Sequence, residues 1–382
     1  MNARASLEAD YLTRFYRIRE VLTLFTRMRE GGVMLTTVAA GRVFDFSHAV
    51  GRGALSGMGF RMAVALALGK NDAVYAVNRG WEQVQNVPYN RTQLGTRVGK
   101  LTIGPVPGDE EVVCDFSKPG DAPGELIWPA GIALDSQENV YVTDEWLNRV
   151  SVFDKDGNFL RLWGIAGSDE GELNGPSGIA IDPKDVLYVV DSRNHRVQKF
   201  TKEGLFLSTW GSLGSAEGQF NAPWGITIDQ QGNVYVADHK NHRVQKFTPD
   251  GQFMTQFGRY GTRKGQLNRP TDVAVDPEGD VYVCDWANHR IQVFDPEGRS
   301  VTSLVGDAQE LSKWAKMTLD ASPDSLKRRR EVRSLELEWR FAFPTAVVFD
   351  AHYGRVIVSD TQRNRLQIYN KLKNYQSAAR TI

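Results

Sequence analysis

Three histidines stand in identical surroundings: His195, His242 and His289 each follow an asparagine, precede an arginine, and lie 47 residues apart. Imidazole is a common zinc ligand, so such a trio invites a metal centre. The geometry of a repeat argues against it. Ligands must converge to within about 2.1 Å of one ion, whereas one slot in successive units is rotated from each unit to the next. Elsewhere the same slot holds Asn148 and Asn364, an exchange that suits a tight turn. Turn residues are therefore expected here. Asp144, Asp191, Asp238, Asp285 and Asp360, followed at a fixed distance by Arg149, Arg196, Arg243, Arg290 and Arg365, yield to the same reasoning. A carboxylate ending a strand can accept turn amide hydrogens and pair with the arginine. One copy would suggest an active site; five copies suggest scaffold.

The elements that carry these slots repeat as well. Pro129, Pro176, Pro223 and Pro270 are 47 residues apart, and each opens an apolar run such as Pro223-Trp-Gly-Ile-Thr-Ile-Asp229. A second β-branched run ends at the aspartate, and a third, such as Arg243-Val-Gln-Lys-Phe247, follows the Asn-His turn. Turns such as Asp276-Pro-Glu-Gly279 and Asp154-Lys-Asp-Gly157 have the residues that tight hairpins need. A fourth run ends in Trp163-Gly164, Trp210-Gly211 or Phe257-Gly258. Four antiparallel strands, here labelled a to d, every 45 or so residues make a propeller blade. Two degenerate blades flank these four. The first has strands over 63–68, 73–78 and 97–103, an insertion from Trp81 to Gly95, and Cys114–Ser117 where the fourth strand should end. The last has Pro344–Asp350, Arg355–Asp360 and Asn364–Tyr369 but no clear fourth strand. Arg42–Ser47 is predicted to supply it and close the ring, removing two sheet edges. The expected fold is an all-β, six-bladed propeller over 41–373, with a helical extension over 1–40 and a tail over 374–382.

Asn-His-Arg after Tyr-Val-x-Asp, intact three times, resembles the NHL repeat. That resemblance implies the propeller fold, but it implies function only loosely. NHL propellers serve as single-stranded RNA readers, as extracellular sensor domains of bacterial kinases, and as the zinc-dependent peptidyl-hydroxyglycine amidating lyase. Members of the lyase branch carry zinc-binding histidines just after the proline that opens strand a. The matching positions here are Ala130, Ser177, Trp224, Thr271 and Thr345, with Arg61 in the first blade, and none is histidine. The amidating-lyase activity is not expected.

Positions that differ between blades carry more functional information than those that repeat. Residues following strand b, together with the post-proline slots, should lie on one face around the channel mouth. They include Arg61, Arg79, Glu145, Trp146, Arg193, Trp224, His239, Lys240, Trp286 and Gln362. Tryptophan and arginine are enriched at binding hot spots, and tryptophan beside positive charge also suits bases or anionic ligands. The leading expectation is a non-catalytic platform for a protein or peptide partner, using Trp146, Arg193, Trp224, His239, Lys240, Trp286 and Gln362. The alternative is a hydrolase or lyase at the same mouth, with His239, Glu145, Arg79 and Arg61 converging and a divalent cation in the central channel. Otherwise no metal site or cofactor is expected. Single-stranded RNA is a third reading, disfavoured by a formal net charge of zero from 46 basic and 46 acidic residues.

From Pro270 to Pro344 the chain runs 27 residues beyond the repeat period, and this excess is expected to form a helical insertion within 307–343. A helix is predicted through Leu311–Leu319, and Ser322-Pro323-Asp324 reads as a second helix start. The basic run Lys327–Arg330 with Arg333 follows, as a lid, docking arm or solvated face. Leu7, Tyr11, Phe15, Ile18, Leu22 and Phe25 form one stripe of an amphipathic helix over Ser6–Arg29, suited to packing, self-association or partner docking. Cys114 and Cys284 are far apart and outside any metal-ligand spacing, so reduced thiols are expected. No run approaches a transmembrane span and no secretory-signal order is seen, so the default expectation is cytoplasmic.

Overall fold

Strands b of blades I to V are short β-branched runs that each carry a tyrosine, and tyrosines are the largest of the fully buried side chains among the described residues. Tyr75, Tyr141, Tyr188, Tyr282 and Tyr369 (the last from a strand c) are each less than 2% exposed. Such rings are too large to bury within one sheet, so each blade must be covered by its neighbours. Fully burying an aromatic or large aliphatic side chain is worth about 1.5–3 kcal/mol. The chain therefore curls into a ring of six sheets, as seen in a computed structural model that describes residues 35–84 and 91–373. The proposed helix over Ser6–Arg29 and the tail over 374–382 lie outside the described residues.

Blade II shows the plan, with strands a to d at Pro129–Leu134, Val140–Asp144, Arg149–Phe153 and Phe159–Trp163, paired antiparallel in order. Blades III (176–210), IV (226–257) and V (270–304) follow it. Blade I uses Ala63–Leu68, Ala73–Asn78, Arg97–Thr102 and Glu111–Phe116, and its b–c connection carries a two-stranded hairpin, Trp81–Val84 with Arg91–Leu94. Blade VI takes strands a to c from Ala346–Asp350, Arg355–Asp360 and Arg365–Leu372, and its strand d from Arg42–Val50. The N-terminal strand closes the ring, pairing Val43 with Leu372 and Val50 with Leu366. It runs three residues past the predicted end at Ser47. A fifth strand, Thr36–Ala39, caps the outer edge through a two-residue turn at Ala40 (φ 48°) and Gly41 (φ 79°). The left-handed pair is the hairpin geometry that matches strand twist.

The strands a line the central channel. Those of blades II, III and IV approach the next blade so closely that a Cβ on Gly131, Gly178 or Gly225 would stand 2.3, 2.4 or 2.5 Å from a neighbouring carbonyl oxygen. Glycine is obligatory there. Blade V breaks the pattern with Asp272.

Between blades V and VI the chain forms α1 (Lys313–Asp320), α2 (Pro323–Glu331) and α3 (Glu336–Trp339). Ser312 and Ser322 cap the first two, each hydroxyl accepting an amide hydrogen three residues on. Trp314 of α1 is buried with Val50, Phe60, Leu101 and Ile103, the seam between blades VI and I. The Lys313 ammonium donates to the Gly108 carbonyl at 2.9 Å on the same seam.

Candidate functional site at the channel mouth

The repeated slots form the framework of the mouth. Asn148, His195, His242, His289 and Asn364 all adopt the left-handed conformation, with φ between 51° and 58°. Each accepts a backbone amide hydrogen from the next blade. Ala222 N–H donates to His195 Nδ1 at 3.0 Å, Arg269 N–H to His242 at 3.1 Å, and Phe343 N–H to His289 at 3.2 Å. Gly175 and Met62 do the same to the Oδ1 atoms of Asn148 and Asn364. Imidazole and amide are interchangeable because the slot asks only for an acceptor on a turn. The strand-b aspartates complete the frame. Asp238 accepts from Asn221 N–H at 2.8 Å and from Arg243 Nε at 2.9 Å, and Asp191, Asp285 and Asp360 repeat that pairing.

On that frame the unrepeated residues form two groups on opposite sides of the ring. One spans blades I and II. Arg79 pairs with Glu145 at 2.7 Å and its guanidinium sits 5.6 Å from the Trp128 ring. Trp128 meets Trp146 edge-on at 5.5 Å. Nearby, Arg61 lies 5.2 Å from the Trp81 ring, which is 53% exposed.

The other group spans blades IV to VI. Trp224 contacts His239 with ring centroids 5.3 Å apart, His239 contacts Trp286 at 6.3 Å, and Trp286 contacts Phe343 at 4.8 Å. The four rings form one continuous chain from the opening of blade IV to that of blade VI. Burial against them pushes the His239 imidazole down to about 4, so it is neutral at physiological pH. Its Nδ1 lies 3.2 Å from the Pro270 carbonyl and must carry the proton, leaving Nε2 as an acceptor. Lys240 and Arg269 stand exposed on the rim of this arc, as do Arg193 on blade III and Gln362 on blade VI. The structure thus joins Arg79 to Glu145 and His239 to Trp224 and Trp286. It sets His239 on blade IV, across the ring from Arg79, Glu145 and Arg61.

Sequence reasoning missed Trp128, Phe343 and Asp272. Each has a signal once the repeats are aligned. Trp128 and Phe343 directly precede the blade-opening proline, and Asp272 replaces the glycine of Pro-x-Gly. The channel encloses about 470 Å³ and is walled by the small and β-branched residues of the strands a. Asp272 is the one charged side chain on that wall among the described residues, and Trp224, Thr271 and Thr345 line the channel with it. The Val347 amide donates to Asp272 Oδ2 at 3.0 Å. Burial pushes this carboxyl up to about 7. No group of three or more His, Cys, Asp or Glu side chains among the described residues is arranged to hold a metal ion. The post-proline ring, where zinc ligands would stand in a lyase, offers no imidazole. Cys284 is buried and Cys114 half-buried, both as free thiols.

The insertion keeps to the edge of this face. Arg365, at the start of strand c in blade VI, donates to the Trp339 carbonyl of α3 at 3.2 Å. On α2, Arg329 pairs with Glu338 at 2.6 Å, whereas Lys327, Arg328 and Arg330 are exposed, as is Arg333 beyond it.

The sequence model of the family described as NHL repeat matches residues 173–200, 220–247 and 267–294, which are strands a to c of blades III, IV and V with the loop leading into each. A 48-residue stretch is 48% identical to Protein lin-41 of Caenorhabditis elegans, covering 13% of this chain and 4% of that relative's length. Solved structures similar over most of the chain include a Bacteroides thetaiotaomicron protein of unknown function, with TM-score 0.55 and 20% identity over 87% of this chain and 76% of that one. Another is a catalytically inactive virginiamycin B lyase of Staphylococcus aureus with quinupristin, with TM-score 0.51 and 13% identity over 86% of this chain and all of that one. A streptogramin B lyase gives a TM-score of 0.52 at 12% identity, over 88% of this chain and all of that one. At such identities the likeness is one of fold. No helix among the described residues is long and apolar enough to cross a membrane.

Proposed function

Because the chain is an NHL-repeat β-propeller of six blades, we propose that it is a non-catalytic binding platform whose mouth face receives a peptide segment of a protein partner. The observation that carries this reading is the ring chain Trp224–His239–Trp286–Phe343. It is half-buried and continuous across three blades, and it lies at positions the repeat does not dictate. Aromatic anchors of this kind supply rigid contact area at low entropic cost, and a few of them dominate binding energy at interfaces. The neutral imidazole of His239 adds a hydrogen-bond acceptor rather than a charge. The helical insertion, standing beside blade VI, would border the bound segment.

Selection of a displayed heptapeptide library on the full chain tests this. Selected peptides should bind the parent at least tenfold more tightly than a Trp224→Ala/Trp286→Ala double variant that melts cooperatively. Each truncation at a hot spot typically costs about 2 kcal/mol or more. Binding unchanged by the double substitution would move the platform elsewhere.

A further inference from the structure

Resting on that reading, we propose that the mouth of blades IV to VI takes a lysine ammonium of the partner into the channel, between Trp224 and Asp272, with acidic residues flanking that lysine held on the rim. The repeat breaks at blade V. Gly131, Gly178 and Gly225 are glycine because the strands a nearly touch, and any Cβ there would collide with the next blade's backbone. At the fourth equivalent position the chain carries Asp272, which spans the gap by accepting the Val347 amide. The blade plan does not dictate a carboxylate at this position, since Ala346 fills it in blade VI.

The carboxylate sits in the mouth half of the channel, on the third residue of strand a, next to Trp224 and Gly225 of the preceding blade. One of its oxygens lies 2.5 Å from where a Cβ on Gly225 would stand. It pairs with no lysine or arginine, and no cation covers the Trp224, Trp286 or Phe343 rings among the described residues. Aromatic faces beside a carboxylate are the surroundings that attract an ammonium once it is drawn out of water. A narrow channel of about 470 Å³ suits a slender aliphatic stem better than a bulky ring. Outside it the charge reverses, because Lys240 and Arg269 are exposed on the rim. A partner with a lone lysine would meet them with like charge. One with acidic neighbours around that lysine would satisfy both layers, and partners are commonly discriminated by such charge layering.

The selection described above separates this inference from the reading it rests on. Sequencing of the selected heptapeptides should show one lysine position strongly enriched, with Asp or Glu on either side. A synthetic peptide of that consensus should bind the parent at least tenfold more tightly than its norleucine analogue, and at least tenfold more tightly than it binds Asp272→Asn. Asparagine keeps an acceptor for the Val347 amide, so the variant should fold, and a thermal melt checks it. Binders without an enriched lysine, yet lost in the double tryptophan variant, would overturn the inference and leave the platform standing. Equal binding of the norleucine peptide, or of the consensus peptide to Asp272→Asn, would also overturn it. Failure to select any binder would remove both.

Discussion

The two arcs of the channel mouth use the same chemical parts and leave them in different states. On blades I and II, Arg79, Glu145 and Trp128 form a closed set. The guanidinium is neutralised by the carboxylate at 2.7 Å and stacked 5.6 Å from the indole. On blades IV to VI, the indoles of Trp224 and Trp286 and the carboxylate of Asp272 have no cation paired with them among the described residues. One arc is a completed version of what the other leaves open. The completed arc shows what the fold does when it means to satisfy such a cluster from within, and it makes the open arc a surface organised for something external.

The sharpest way to test that difference is through stability. Burial holds the Asp272 carboxyl up to about 7 in the folded chain, against about 3.9 when unfolded. A raised acid contributes stability that is complete below the unfolded value and is lost as the pH climbs through 7. The neighbouring titrations are shared by parent and variant and drop out of their difference. Burial pushes Cys284 well above its ordinary range, raises Asp285 despite its pairing with Arg290 at 2.7 Å, and holds His239 low. Asp272→Asn removes the dependence. It should therefore be more stable than the parent at pH 8, by roughly 2–4 kcal/mol after allowing for contact with channel water. That gain should shrink toward zero as the pH falls to about 4. Denaturant melts across pH read this directly. A variant less stable than the parent at pH 8 would mean that Asp272 is satisfied from within and the two arcs are alike.

His239 gives the next largest effect, with the opposite sign. Its neighbours are the Trp224 and Trp286 rings, the Pro270 carbonyl, and the charges of Arg269, Lys240 and His242. Burial pushes the imidazole down to about 4, whereas in the unfolded chain it takes a proton near 6.5. A depressed histidine contributes stability that is complete above 6.5 and drains away as the pH falls toward the folded value. Between pH 7 and pH 5 the parent should lose about 1–2 kcal/mol more than His239→Gln. Equal losses would show that the ring chain opens readily and leaves His239 hydrated. The aromatic arc would then no longer be a preformed surface.

How much of this was legible in the sequence follows from what repetition encodes. The blades, the turn role of His195, His242 and His289, and the closing strand beginning at Arg42 were all readable. In each case a local pattern and its spacing state the structure outright. The fifth strand at Thr36–Ala39 was not, because four residues carry too little alternation to stand out before the strand they pair with is placed. At the mouth, Trp224, His239 and Trp286 were readable as face residues, but their contact was not, since it joins neighbouring blades across 47-residue steps. Reading each blade for its own loops also paired His239 with Arg79 and Glu145 as candidate partners. Only the ring order puts blade IV opposite blade I. Asp272 was visible as an exception to Pro-x-Gly. Its meaning depends on how closely the strands a approach, which no local pattern states.

The smallest effect tests the completed arc itself. The Arg79 and Glu145 side chains are 20% and 16% exposed, so their pair keeps some contact with water and its worth is modest. A double-mutant cycle with Arg79→Met and Glu145→Gln should return a coupling of about 0.5–1 kcal/mol. The corresponding cycle on the open arc, Asp272→Asn with Lys240→Met, should return a coupling near zero, because an exposed rim ammonium is screened by water and salt. The difference between the two cycles distinguishes the arcs, more than either value alone. Equal couplings would mean that Lys240 already serves Asp272 as Arg79 serves Glu145, leaving no call for an external cation. Coupling confined to the Arg79 cycle would show that one arc holds its counter-charge internally and the other waits for it from a partner.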